Sequence, residues 1–178
     1  MKTTVFPESR PVWDPLVRVF HWSLVLCVML NLFVVDDEEA LHQWLGCAAS
    51  AWVVVRVLWG FVGPRHARFA DFFPTPARLA RHVRALLRGE PEHHWGHNPL
   101  GGLMVLGLMA MVLGLGLTGW MQTTDTFWGV GWVEEVHEGL AEGLLPLVGL
   151  HVAAALVMGR IERTRLVKAM LTGTKERY

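Results

Sequence analysis

The chain has 178 residues, with 16 basic and 16 acidic side chains and a formal net charge of zero; 52% of it is hydrophobic and only 18% charged. A soluble domain of this length carries closer to about a quarter charged residues, so the composition excludes a disordered chain and a general nucleic-acid binder. Two cysteines, Cys27 and Cys47, cannot build a disulfide scaffold, and no Cys-x-x-Cys-His motif offers covalent haem attachment. A membrane protein remains.

Four stretches are long and apolar enough to cross a bilayer, which takes roughly 20 residues. They run over about 14–35, 41–62, 99–121 and 133–159. The first is followed by Asp36-Asp37-Glu38-Glu39 where a signal peptide would place small residues, so it is expected to stay as a span. No internal repeat or low-complexity segment interrupts the pattern. The expected fold is all-α, a single integral-membrane domain over 1–178 built as a four-transmembrane-helix bundle.

Charge fixes the expected orientation. Lys2, Arg10 and Arg18 lie before or at the start of the first span; Arg65, Arg68, Arg78, Arg81, Arg84 and Arg88 lie between the second and third; Arg160, Arg163, Arg165, Lys168, Lys175 and Arg177 follow the fourth. The connections around Asp36–Glu39 and Thr123–Glu138 contain no Lys or Arg. Basic residues stay in the cytoplasm, so both termini are expected there. Between Ala77 and Arg88, Arg78, Arg81, Arg84 and Arg88 share one helical face, with Leu79, Val83, Leu86 and Leu87 opposite. This pattern predicts a cytoplasmic amphipathic helix with its arginines toward anionic headgroups and Phe69, Phe72 and Phe73 anchoring its approach. An ordinary solvated basic loop is the simpler alternative.

Nine histidines divide into two groups. His66, His82, His93, His94 and His97 lie in or beside the basic connection, where a polar residue needs no special reason. His21, His42, His137 and His151 fall within the spans or their first turns, where ionisable groups are costly and functional by default. A single one could be a satisfied contact between helices; four at matched depths are harder to dismiss. His137 and His151 are fourteen residues apart, which brings them within about 40° of one helix face and about 21 Å apart along the axis. Pro146, between them, could kink that helix.

Depth supplies the partners. His21 lies about two turns in from Asp14, and His151 lies nine residues before Arg160, both toward the cytoplasm. His42 follows the acidic turn, and His137 sits among Glu134, Glu135 and Glu138 at the other surface. The expected pairs are His21 with His151 and His42 with His137. Two facing histidines in a bundle core suit a six-coordinate haem iron, and two such pairs make an electron wire across the membrane. Zinc fits less well, because no third His, Cys or carboxylate clearly joins either pair.

Arg56 is fourteen residues after His42, on the same face and level with the inner pair. An arginine at helix centre costs about 2.5–3.5 kcal/mol on insertion scales, which a haem propionate would offset through a charge-assisted contact; a snorkelling side chain is the alternative. Arg18, one turn before His21, is a weaker candidate of the same kind. Gly101, Gly102, Gly107, Gly114, Gly116 and Gly119 in the third span allow close approach of a helix or a flat macrocycle. Cys27 and Cys47 read as small packing residues, and Trp13, Trp120, Trp128 and Trp132 as interface markers.

The sequence resembles the dihaem cytochrome b family that includes the membrane subunit of nickel–iron hydrogenases. The matching pieces are Arg18-Val-Phe-His21-Trp22, His42-Gln-x-x-Gly46, Arg56-Val-Leu-Trp-Gly60, Gly96-His-Asn-Pro99-Leu-Gly-Gly, Val136-His137-Glu138 with a second histidine fourteen on, and the tail from Leu166 to Lys175. The resemblance implies that His21, His42, His137 and His151 ligate two non-covalent b haems. It also implies electron exchange between the quinone pool and a redox partner outside the bilayer, such as a c-type cytochrome or a dehydrogenase or hydrogenase. Superoxide oxidase, a quinone-reducing enzyme, belongs to the same wider superfamily. The predicted outer face is acidic and should repel superoxide and attract a cationic partner, which favours an electron-transfer subunit. A histidine-containing metal transporter is a remote third reading. His97, Asn98 and Pro99 are the one polar cluster offered for a quinone site, and a helix-start signal accounts for them equally.

Overall fold

The computed structural model describes residues 8–37, 39–90 and 92–177; Lys2 and Glu38 of the charge map lie outside the described residues. Four helices are long and apolar enough to cross a membrane: α1 (Pro15–Phe33), α2 (Ala40–Val62), α5 (Pro99–Gln122) and α6 (Gly131–Ile161). Their ends fall within two residues of the predicted spans, because each is set by the switch from an apolar run to Pro, Gly or charge. Helix α6 continues through Pro146. Shorter elements are α3 (Phe69–Phe72), α4 (Pro76–Leu87) and α7 (Leu166–Thr172), with strands β1 (Glu8–Pro11) and β2 (Thr174–Arg177). The chain groups into two compact units, one made of residues up to Arg18, Gly60–Met104 and His151 onward, the other of Val19–Trp59 and Val105–Leu150.

The first unit holds nearly all the basic residues. It contains a departure from an all-helical fold: β1 pairs antiparallel with β2, Glu8 opposite Arg177 and Pro11 opposite Thr174. Gly173 makes the corner. It ends α7 with φ 86°, a left-handed value that favours glycine, and its carbonyl accepts from the Val12 and Trp13 amides at 2.8 and 3.0 Å. Beneath the ribbon, Lys175 and Glu162 form an ion pair at 3.1 Å with both side chains 3% exposed. Lys175 Nζ also donates to the His94 carbonyl at 2.6 Å, and Asn98 Nδ2 donates to Glu162 Oε1 at 3.3 Å. Asn98 is the N-cap of α5: its Oδ1 accepts from the Gly101 amide at 2.7 Å, with Pro99 at the first helical position.

The basic helix forms as expected, capped by Thr75, whose hydroxyl accepts from the Arg78 amide at 3.3 Å. Its inward face is different from the one predicted. His82 is fully buried, Leu79 and Leu86 are half-buried, and Val83 and Leu87 are exposed. A face centred on Leu79, His82 and Leu86 is an equally regular i, i+3, i+7 stripe, so tertiary packing chose the histidine side. Phe72 is buried, not a surface anchor, because Gly102 lets α5 approach its backbone: a Cβ there would lie 2.6 Å from the Phe72 carbonyl. Trp13 is likewise buried, its ring 4.6 Å from that of His97, whereas Trp120, Trp128 and Trp132 are exposed.

In the second unit the only basic residue is Arg56. Here the glycines of α5 serve helix packing. Gly116 faces Ser50 of α2, and Gly114 and Gly119 face Leu140 and His137 of α6, where added Cβ atoms would stand 3.0 and 3.1 Å from those side chains. Gly107 has open space beside it. Cys27 is buried and Cys47 exposed.

Candidate haem centre

His42 and His137 come together. His42 opens α2 in its first turn, and its backbone carbonyl accepts from Asn31 Nδ2 of α1 at 3.2 Å, which ties the two helices across the acidic turn. His137 stands two turns into α6, and the absent side chain of Gly119 makes room for it. The two ring centres are 6.4 Å apart with planes at 63°. Two imidazoles on opposite sides of one iron, each about 2 Å from the metal and about 1.2 Å from nitrogen to ring centre, would place their centres about 6 Å apart. The spacing fits a bis-histidine iron.

Hydrogen bonding orients the second ring. Thr118 Oγ1 lies 2.8 Å from the Gly114 carbonyl and 2.9 Å from His137 Nδ1. The hydroxyl also reaches the Leu115 carbonyl at 3.3 Å; with its one proton given to a carbonyl, its oxygen is an acceptor for His137 Nδ1–H. Nε2 is left with its lone pair, the tautomer that a metal requires. Nδ1 of His42 is buried without a hydrogen-bond acceptor among the described residues, and its nearest carboxylate is Asp37 at 3.7 Å. Nothing in the sequence marked Thr118 except a hydroxyl in an apolar span; its role needed the spatial neighbour.

The remaining predicted residues are placed as follows. His21, half-buried on α1, packs edge-on against Trp22 with centres 5.0 Å apart, and His151 is half-buried on α6. They belong to different units. Arg56 is 1% exposed, so snorkelling does not describe it. Arg18 donates to the Leu171 carbonyl, tying α1 to the last turn of α7. His97 packs between Trp13 and Phe72, with centres 4.6 and 4.8 Å away. With Asn98 occupied by its cap and by Glu162, this cluster has a structural role. Asp36, Asp37 and Glu39 before His42, and Glu134, Glu135 and Glu138 around His137, are all exposed.

The sequence profile of prokaryotic cytochrome b561 matches residues 12–173. The chain belongs to this family. It is therefore a multi-pass protein of a bacterial inner membrane, and the family implies haem b and membrane electron transfer. Among curated relatives, the probable Ni/Fe-hydrogenase B-type cytochrome subunit of Bradyrhizobium diazoefficiens is 25% identical, over 93% of this chain and 85% of its own length. The subunits of the same name from Rhodobacter capsulatus and Azotobacter vinelandii are 24% and 26% identical, over 97% and 91% of this chain and 81% and 86% of theirs. No solved structure matches the chain.

Proposed function

We propose that this member of the family is a dihaem electron carrier, with His42 and His137 as the axial ligands of one b haem and His21 and His151 as those of the other. The observation that carries the reading is the 6.4 Å spacing of the His42 and His137 rings; the second pair rests on matched depth in the sequence. When bound, each haem supplies a one-electron iron couple. The protein's part is to hold two neutral imidazoles in place, with Thr118 fixing the tautomer of one, and to exclude oxygen chemistry by leaving no open coordination position. Buried Arg56 is assigned to a propionate of the inner haem, and Arg18 to the same side.

The basic connections support a cytoplasmic position for both termini and α4. The exposed carboxylates near His42 and His137 then form the outer face, where a cationic redox partner docks. The names of the relatives point to a hydrogenase as that partner, with the quinone pool at the other end of the wire. The test is a dithionite-reduced minus oxidised spectrum of the purified protein with haem extracted per chain. Two b haems are expected; one would remove a pair, and none would end the proposal. With the partner added, electron transfer should slow as salt is raised.

Thr118→Val provides a finer check. It keeps the side-chain volume and removes the hydroxyl, so His137 loses its orienting acceptor. Such partners typically carry about 10–100-fold in metal affinity or activity. The outer haem is expected to dissociate more readily and its reduction potential to move, with the other haem unchanged. Redox titration of the variant reads both.

A further inference from the structure

His82 is the anomaly of the first unit. It is 0% exposed, and neither ring nitrogen has a hydrogen-bond partner among the described residues, a costly state for a buried polar group. The loop after α4 returns two further donors to it. The His94 ring stands 5.5 Å from that of His82, centre to centre, and donor atoms of His82, Glu92 and His94 all lie within 4.8 Å of one another.

The surroundings arrange these donors. Nδ1 of His94 lies 3.2 Å from the Glu92 backbone carbonyl, which takes the ring proton there and leaves the lone pair on Nε2. That nitrogen is 3.8 Å from Glu92 Oε2, while Arg81 Nε holds the other carboxylate oxygen at 3.2 Å. The His94 backbone is itself fixed by Lys175, through its carbonyl, to the buried ion pair with Glu162. Burial first, and then the neighbouring His94, hold His82 below its ordinary titration range, against the opposing pull of Glu92 and Glu162.

We propose that His82, His94 and Glu92 form a binding site for one divalent transition-metal ion of the zinc class. Two imidazoles and a carboxylate are a zinc donor set that leaves a fourth position for water. Zinc bonds of about 2.0–2.2 Å put tetrahedral donors about 3.3–3.6 Å apart, so the three side chains need to close by about 1 Å. The ion would satisfy a buried nitrogen of His82 and clamp the connection onto α4. It uses none of the four proposed haem ligands, and its test does not depend on them.

The experiment is zinc binding to the tag-free, full-length protein in detergent, stripped with a chelator, dialysed against buffered zinc and analysed for metal. One zinc per chain is expected. Glu92→Gln and His94→Ala should each weaken binding at least about tenfold, with helix content and monodispersity retained. The exposed neighbour variant His93→Ala should bind as the parent does. No stoichiometric zinc in the parent protein, undiminished binding in both ligand variants, or equal loss in His93→Ala would overturn the site. Zinc X-ray absorption on the parent protein covers the case of a variant that fails to fold: two imidazoles and a carboxylate support the assignment, and any sulfur or all-oxygen shell defeats it.

Discussion

His137→Ala is expected to halve the haem content, from two b haems per chain to one. The imidazole lies 6.4 Å, centre to centre, from that of His42, and Gly119 leaves room for nothing larger beside it. Alanine therefore removes one proposed axial ligand without crowding the helices. His42→Ala should give the same single-haem protein, and the double variant should lose no more than either alone, because the proposal puts both residues on one iron. That non-additivity separates a shared site from two unrelated losses. His66→Ala, which removes an imidazole hydrogen-bonded to Asp71 at 2.9 Å, should keep both haems. Full haem in His42→Ala, measured by pyridine haemochrome, would refute the ligand assignment.

The second large effect is expected at Lys175. Removing one partner of a buried ion pair costs about 3–5 kcal/mol, since the other charge is left without compensation. Lys175→Met strands the Glu162 carboxylate at 3% exposure and releases the His94 carbonyl as well. Glu162→Gln strands the ammonium instead. Each single variant should lower thermal stability strongly, and the pair of changes together should cost clearly less than their sum. Detergent melts followed by tryptophan fluorescence are suited to this, because Trp13 and Trp95 belong to the same unit. A Lys175→Met variant that melts with the parent protein would mean that the pair contributes nothing.

The four long helices were legible because an apolar run bounded by charge leaves few alternatives, and the meeting of His42 with His137 followed from depth alone. Other features were not legible, for physical reasons. Glu8–Pro11 and Thr174–Arg177 are short and polar, with no alternation to mark a strand, and each becomes one only by pairing with the other. In α4 the apolar residues pointed to one face and packing selected the neighbouring one, placing His82 inside. Burial of Lys175 was invisible because its partner, Glu162, belongs to a different element. Thr118 acquires meaning only beside His137. The all-apolar third span showed its glycines but not which neighbour each of them admits.

Pairing the first strand with the last also sets an order of assembly. During synthesis β1 emerges before any span and β2 after all of them, so the ribbon closes a loop containing every membrane helix. Its closure can only follow their synthesis. Until Lys175 arrives, Glu162 waits without its cation at the end of α6. Completion of the ribbon thus reports that the chain has been made through all four spans, and a chain released early would leave the Glu162 carboxylate without its partner.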